Sequence, residues 1–460
     1  MPINQSLTTK LPQAGSWPFL GALPALLNRP FEFFEEARRR HGDIYRLRVG
    51  PLRPVVLNHP RHIQHVLRDH AANYRKGGAL WDNLRRILGN GLVVSDGEFW
   101  LRQRRMMQPQ FHRERLAGLT DLMVNAIDES LAGWAAHAGS GRPVDLLPAL
   151  AHLTMRVTTD TLFGTGIPRG SRDEVGDAMA YLVNYIMVSV VTHGLPSWLP
   201  VPGKRRNARE IARVERIVDG IIGATRRGEG NNHLLAMLLD VVDDQTGEGM
   251  SNKQLHDEVM TMFLAGYETT STALGWAVHF LMGHPEVMQK LQAEVDGALG
   301  GRTPAFADLP QLSYTRMVLQ EVMRLRPPGY WLPRIAVEDD VIDGFPIAAG
   351  TEIISLIYMV HRHPDFWPEP ERFDPERFAG DHGARGSRGR HPFAYIPFGV
   401  GQRLCIGRDF AMMEGTLALA MIVQRYRLAA VKGRLPQPGL SATLRPKGGV
   451  WAHLTARDRA

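Results

Sequence analysis

Thiol chemistry is almost absent from this chain: 460 residues contain one cysteine, Cys405. A single thiol excludes an internal disulfide and a cysteine-rich zinc site. Long apolar runs are missing too. The stretch Leu182 to Val191 (LVNYIMVSVV) falls well short of the roughly 18 to 20 apolar residues that span a bilayer. Between Met1 and Pro30 the apolar residues are broken by Pro18, Gly21 and Pro24, and no charged segment precedes an apolar one. A soluble, cytoplasmic protein without a membrane anchor is the expectation. The net charge of +7 rests on 54 Lys and Arg against 47 Asp and Glu. No zinc-finger spacing and no basic run interleaved with aromatics accompanies it, so an acidic protein suits this surface better than nucleic acid.

What is present is an ordinary folded composition, 44% apolar and 22% charged. Residues 42–58 alternate around a Gly-Pro turn and read as a hairpin. Residues 60–72 and 98–135 read as helix. A break at 138–143 is followed by more helix towards Leu162. Polar loops are expected at 226–232 and, glycine- and arginine-rich and mobile, at 380–390. Ser251 and Gln254 make a capping-box start to a helical pattern that runs to Met282, where Gly283, His284 and Pro285 end it. At about 32 residues this helix exceeds the usual length and should cross the interior of its domain. Hydrophobic periodicity resumes after every loop, so one domain over 1–460 is expected, with a β-rich part at roughly 30–75 and a helical remainder. No repeat is visible.

Cys405 sits in Phe398-x-x-Gly401-x-Arg403-x-Cys405-x-Gly407. A lone cysteine is commonly an inert small hydrophobe, and a nucleophilic one needs a histidine partner. One sulfur is also what an axial thiolate of haem iron requires. The flanking glycines permit φ > 0 and close approach to a flat macrocycle, and backbone N–H groups can tune the sulfur. The complete spacing resembles the haem-binding signature of the cytochrome P-450 family. Mid-helix stands Ala265-Gly266-Tyr267-Glu268-Thr269-Thr270. Glycine costs about 1 kcal/mol there against alanine, and paired threonines crowd the turn. Read alone, this is either a packing notch with satisfied threonines or a place where the helix opens and holds a water. It too resembles a motif of the same family, the oxygen-binding [Ala/Gly]-Gly-x-[Asp/Glu]-Thr-[Thr/Ser].

The resemblance covers nearly the whole chain and implies a mainly α fold with small β-sheets, haem b lying between the long helix and the Cys405 loop. Met262, Ala265, Gly266 and Thr269 share one helical face, which would line the oxygen side, small Ala265 and Gly266 leaving room for dioxygen. Thr269 would hydrogen-bond the activated oxygen, and Glu268 would relay protons from solvent. Haem contacts would come from Cys405, Phe398, Gly407 and Ala265, from Trp100 and Arg104 in Trp-x-x-x-Arg, and from Arg403 and Arg334, with Arg104 and Arg403 ranked ahead of Arg334. Glu321 and Arg324, with Arg377 of the Pro-Glu-Arg-Phe box, would be structural. A substrate pocket would be lined by Val93, Val94, Met262, Ala265, Gly329, Tyr330, Trp331 and Leu332, under a mobile roof at 181–198.

By the same resemblance the enzyme is a bacterial haem-thiolate monooxygenase. It would hydroxylate or epoxidise a hydrophobic small molecule with O2, a terpenoid or other secondary metabolite. No flavin or dinucleotide domain fits in the chain, so NAD(P)H would act only through a separate ferredoxin or flavodoxin and its reductase. Arg403 and Arg408, with Arg102 and Arg105, would form the docking surface for that acidic partner. A monomer is expected. Two rival classes stay open: a peroxygenase or isomerase-type member that needs no reductase, and a haem-based gas sensor without turnover.

Overall fold

A computed structural model describes residues 10–15, 17–164, 169–193, 200–228, 234–380 and 389–457. Much of the expected loop at 380–390, part of that at 226–232 and the end of the expected roof lie outside them. The chain forms two compact units, each assembled from separated stretches: Met1–Asp82, Gly329–Arg372 and Gly380–Cys405 in the first, Asn83–Pro328, Phe373–Ala379 and Ile406–Ala460 in the second.

The first unit is organised by a mixed sheet. Its strands are β1 (Gln13–Ala14), β2 (Ile44–Leu47), β3 (Val55–Leu57), β4 (Tyr74–Arg75), β5 (Leu332–Ala336) and, after the hairpin β6 (Asp340–Ile342) and β7 (Phe345–Ile347), β8 (Glu352–Ser355). The spatial order is β1-β2-β3-β8-β5-β4. The hairpin expected at 42–58 is the antiparallel β2–β3 pair, Ile44 opposite Leu57. Val55 then pairs with Ile353 in parallel, so strands nearly 300 residues apart share one core of Val55, Leu57, Ile63, Ile353 and Ile357. The β-rich region is less β than expected, because Pro30–His41 (α1) is a helix. Proline at its start, buried Phe31, Phe34 and Ala37 along one face, basic residues in the last turn and Gly42 at φ 82° explain it.

Residues 60–72 depart from a simple helix. Pro60–Gln64 (α2) passes into a π turn at His65–Asp69, closed by the His70 N–H on the His65 carbonyl at 2.8 Å. The three-residue 3-10 turn Ala71–Asn73 follows.

The second unit is mostly helical. Residues 98–135 are several helices rather than one, because a 3-10 turn containing Pro109 ends Gly97–Met107 (α3). Leu146–Phe163 (α4) and Arg169–Val191 (α5) precede the long helix Asn252–Gly283 (α6), followed by Ser313–Leu325 (α7) and Arg408–Arg425 (α8). The capping box of α6 is formed: Ser251 Oγ accepts the Gln254 N–H at 3.2 Å and Gln254 Oε1 accepts the Ser251 N–H at 2.8 Å. Strands β9 (Tyr426–Ala430) and β12 (Trp451–Ala456) pair antiparallel, and β10 (Gln437–Leu440) with β11 (Leu444–Lys447) forms a hairpin. Among the described residues no helix is long and apolar enough to cross a membrane.

Candidate active site

The Cys405 loop is held by its own backbone. The Cys405 N–H donates to the Phe398 carbonyl at 2.9 Å and the Leu404 N–H to Gly401 at 3.1 Å. Gly399 and Gly401 adopt φ of 69° and 66°, which only glycine takes without strain. A Cβ on Gly401 would also stand 2.8 Å from the Leu67 carbonyl oxygen. Gly407 differs from expectation: its φ is −85° and no protein atom lies within 4 Å of where its Cβ would be. Among the described residues, neither backbone nor packing requires glycine there. Cys405 itself is exposed and free of any disulfide.

In the same unit Arg334, on β5, is 6% exposed. Its Nη1 donates to the Pro333 carbonyl at 2.7 Å, and its guanidinium lies 5.6 Å from the ring of Trp81, whose Nε1–H donates to the same carbonyl at 3.0 Å. Among the described residues no carboxylate pairs with it. Burial pushes its pKa down to about 10, and Arg403, partly buried, is pushed down to about 10 for the same reason. A buried cation without a counter-charge is costly, so the donor set fits a metal macrocycle that carries carboxylates. Arg334, ranked last of the three arginines from sequence, has the strongest physical case. Arg104, on α3 with buried Trp100, donates to Gln108 Oε1 at 2.9 Å and is only half-buried.

In the second unit the expected face of α6 stands out by exposure. Most residues of this helix are buried, yet Ala265 is exposed and Gly266 and Thr269 are half-exposed, with Met262 buried at the edge. The helix does not open there. It runs unbroken, and the Thr269 hydroxyl donates to the Ala265 carbonyl at 2.8 Å. Gly266 serves packing, since its Cβ would meet Thr158 of α4 at 2.9 Å, so the space on this face comes from Ala265.

Glu268 points elsewhere. It is buried, its Oε1 accepting the Thr443 hydroxyl at 2.8 Å and lying 3.4 Å from Arg445 Nε, while among the described residues no donor lies within hydrogen-bond geometry of its Oε2. Burial raises its pKa, with Arg445, Thr443 and Tyr267 opposing in part. That shift moves a carboxyl towards the range in which it can both take and give a proton. Glu268 and Thr269 share no hydrogen bond, so transfer between them needs a bridging water or a turn of the Glu268 side chain. Arg445 also donates to Asn184 Oδ1 of α5 at 3.2 Å. A cleft of about 470 Å³, lined by Asn184, Tyr267, Ser441, Arg445 and Lys447 among others, reaches this group; Cys405 is not part of that cleft. Thr443 and Arg445 were invisible from sequence, being ordinary polar residues 175 or more positions from Glu268.

Glu321, Arg324 and Arg377 come together in the second unit. Arg324 donates from Nε and Nη2 to the two carboxylate oxygens of Glu321 at 2.7 and 2.8 Å, both side chains fully buried. The Asp374 N–H adds 2.9 Å to Glu321 Oε1, and Arg377 Nε lies 3.5 Å from it. Of the expected pocket lining, Val94 and Tyr330 are core residues, Tyr330 edge-on to Phe31 at 6.3 Å, whereas Val93, Gly329, Trp331 and Leu332 keep open surface. The arginines expected to dock an acidic partner are partly neutralised within the chain. Arg105 grips Asp243 at 2.7 and 2.9 Å, Arg102 reaches Glu248 at 3.2 Å, and Arg408 binds Asp409 at 2.8 Å.

A family model described as Cytochrome P450 matches residues 11–451. The cyclooctat-9-en-7-ol 5-monooxygenase of Streptomyces melanosporofaciens is 38% identical over 421 residues, 91% of this chain and 89% of that one. Cyclooctatin synthase of the same organism is 36% identical over 438 residues, 94% and 93% of the two chains. Among solved structures, the cytochrome P450DA heme domain aligns with a TM-score of 0.87 at 27% identity, over 98% of each chain.

Proposed function

The chain belongs to the cytochrome P450 family and is a haem-thiolate monooxygenase using haem b, and we propose that it oxidises a carbocyclic terpenoid. Support for that substrate class is the relative whose name gives cyclooctat-9-en-7-ol as its substrate, similar over nine-tenths of the chain. Bound haem supplies dioxygen activation and insertion of one oxygen atom into the substrate, the thiolate's electron donation favouring O–O cleavage.

The residues divide the remaining tasks. Cys405 would supply the thiolate to the haem iron, and the buried Arg334 and partly buried Arg403 would hold the haem carboxylates together with Trp100 and Arg104. Phe398 and Gly407 shape the loop around the sulfur. Thr269, on the open face of α6 beside Ala265, presents a hydroxyl that can leave the Ala265 carbonyl and donate towards oxygen. Glu268, held by Thr443 and Arg445, stores the proton that replenishes it. Val93, Met262, Gly329 and Trp331 contribute apolar contacts to the substrate. The observation that carries the oxygen-activating reading over a peroxygenase is the retained pair of a pKa-raised buried acid and an open-face threonine.

Electrons come from a separate small acidic ferredoxin, or a flavodoxin, with its reductase. The protein works as a cytoplasmic bacterial monomer. Titration of the haem-loaded protein with candidate substrates tests the substrate class. A high-spin optical shift with carbocyclic terpenoid alcohols and none with straight-chain fatty acids is expected; the reverse pattern refutes it.

A further inference from the structure

Two histidine–aspartate clusters lie in the first unit, one of Asp43, His59 and His363 and one of His65, His70 and Asp340. Their ring nitrogens tell them apart. In the first, His59 Nδ1 accepts the Arg61 N–H at 3.1 Å and His363 Nδ1 accepts the Asp365 N–H at 3.3 Å. A neutral ring so engaged carries its proton on Nε2, and His363 turns that nitrogen to Asp43 at 3.2 Å. A metal on Nε2 would have to displace this proton while Nδ1 stays occupied as an acceptor. That cluster is a set of hydrogen bonds.

The second cluster is built by the π turn, an uncommon device that recurs at functional sites. Because the turn closes from residue 70 back to residue 65, the two imidazoles fall one over the other, stacked at 3.9 Å and 13°. Both then aim a nitrogen at one oxygen: His65 Nε2 lies 2.8 Å and His70 Nδ1 3.8 Å from Asp340 Oδ2. Neighbouring ligand atoms in a tetrahedral zinc site stand about 3.3 Å apart, between these two values. Among the described residues no backbone N–H occupies His65 Nδ1 or His70 Nε2, so those nitrogens are free to keep their protons when the others bind metal. The carboxylate is oriented by the Tyr74 hydroxyl on Oδ2 at 2.7 Å and the Val341 N–H on Oδ1 at 2.7 Å. His70 is exposed, which gives an entry path.

We propose that His65, His70 and Asp340 form a surface site for a divalent transition metal of the zinc class, a water completing the fourth position. Bound metal would tie the π turn to the β6–β7 hairpin. Leu67, in that turn, is the residue whose carbonyl leaves no room for a side chain at Gly401, so the metal would stiffen the backing of the Cys405 loop.

Calorimetric titration of zinc chloride into chelator-treated, haem-loaded protein tests this, each variant's Soret spectrum certifying its fold. One micromolar site per chain is expected, weakened at least ~10-fold in His70→Ala and in Tyr74→Phe by about 10-fold through lost orientation, and unchanged in His59→Ala. Equal zinc affinity in wild type, His65→Ala and His70→Ala overturns the assignment, as does loss of binding in His59→Ala.

Discussion

Glu321 and Glu268 are both buried beside an arginine in the same unit, and the two pairs are built in opposite ways. Glu321 receives two guanidinium hydrogen bonds at 2.7 and 2.8 Å, a backbone N–H at 2.9 Å and a second arginine. Both of its carboxylate oxygens accept hydrogen bonds, and Arg324 has no exposure at all. Glu268 has one hydroxyl on Oε1, one arginine at 3.4 Å and, among the described residues, no hydrogen bond on Oε2. Its arginine is about a fifth exposed and shared with Asn184 on another helix. A satisfied buried pair can only hold parts together, whereas an under-satisfied one beside a solvent cleft can change protonation at small cost. The first is built as a scaffold would be, and the second is the place where we propose that a proton is handled.

The comparison can be broken at either end. Arg324→Ala should have the largest effect, stranding a buried carboxylate and costing about 3–5 kcal/mol; urea unfolding and haem-loaded yield read it, and a wild-type midpoint would erase the distinction. Thr269→Ala should leave stability intact while diverting reducing equivalents to peroxide, with product per NAD(P)H falling about tenfold. Unchanged coupling would remove Thr269 from the reaction. Arg445→Leu should unfold at the wild-type urea midpoint yet slow turnover several-fold and enlarge the solvent isotope effect. Burial already raises the Glu268 pKa and Arg445 opposes that, so losing the cation should move the basic limb of the kcat profile to higher pH. Arg445→Lys should restore part of both.

The smallest effect concerns a third buried acid. Glu414 on α8 is wholly buried, with no cation beside it among the described residues. Burial raises its pKa well above 4.5, the Thr270 hydroxyl opposing. Its contribution to stability is therefore fully present below the unfolded value near 4.5 and is lost as pH rises towards the folded one. Glu414→Gln should match wild type at pH ~5 and exceed it at pH ~8, by about 2 °C in Tm. Equal Tm at both pH values would show that the carboxyl is compensated by a partner.

These regions also differ in how far they could be read from residues alone. Glu321, Arg324 and Arg377, the Ser251 capping box and the Cys405 loop are legible because each rests on local spacing or on a short motif. The partners of Glu268 are not, because a threonine and an arginine in a C-terminal hairpin carry no local mark of the helix they will meet. Arg334 could be named but was ranked too low, behind Arg104 and Arg403, since desolvation is a property of the folded sheet. The π turn escaped as well: one extra residue per turn leaves the apolar spacing of 60–72 helical in pattern. The helix at Pro30–His41 was missed although its proline start and basic end are visible in the sequence.

The central claim is that Cys405 is the thiolate ligand of a haem held by Arg334 and Arg403. The optical spectrum of the reduced, CO-bound protein tests it most directly. The red-shifted Soret band of a thiolate-ligated haem is predicted, lost in Cys405→Ala while the protein stays folded by circular dichroism. A Soret band at the position given by a nitrogen ligand in wild type, or an unchanged band in Cys405→Ala, would contradict it.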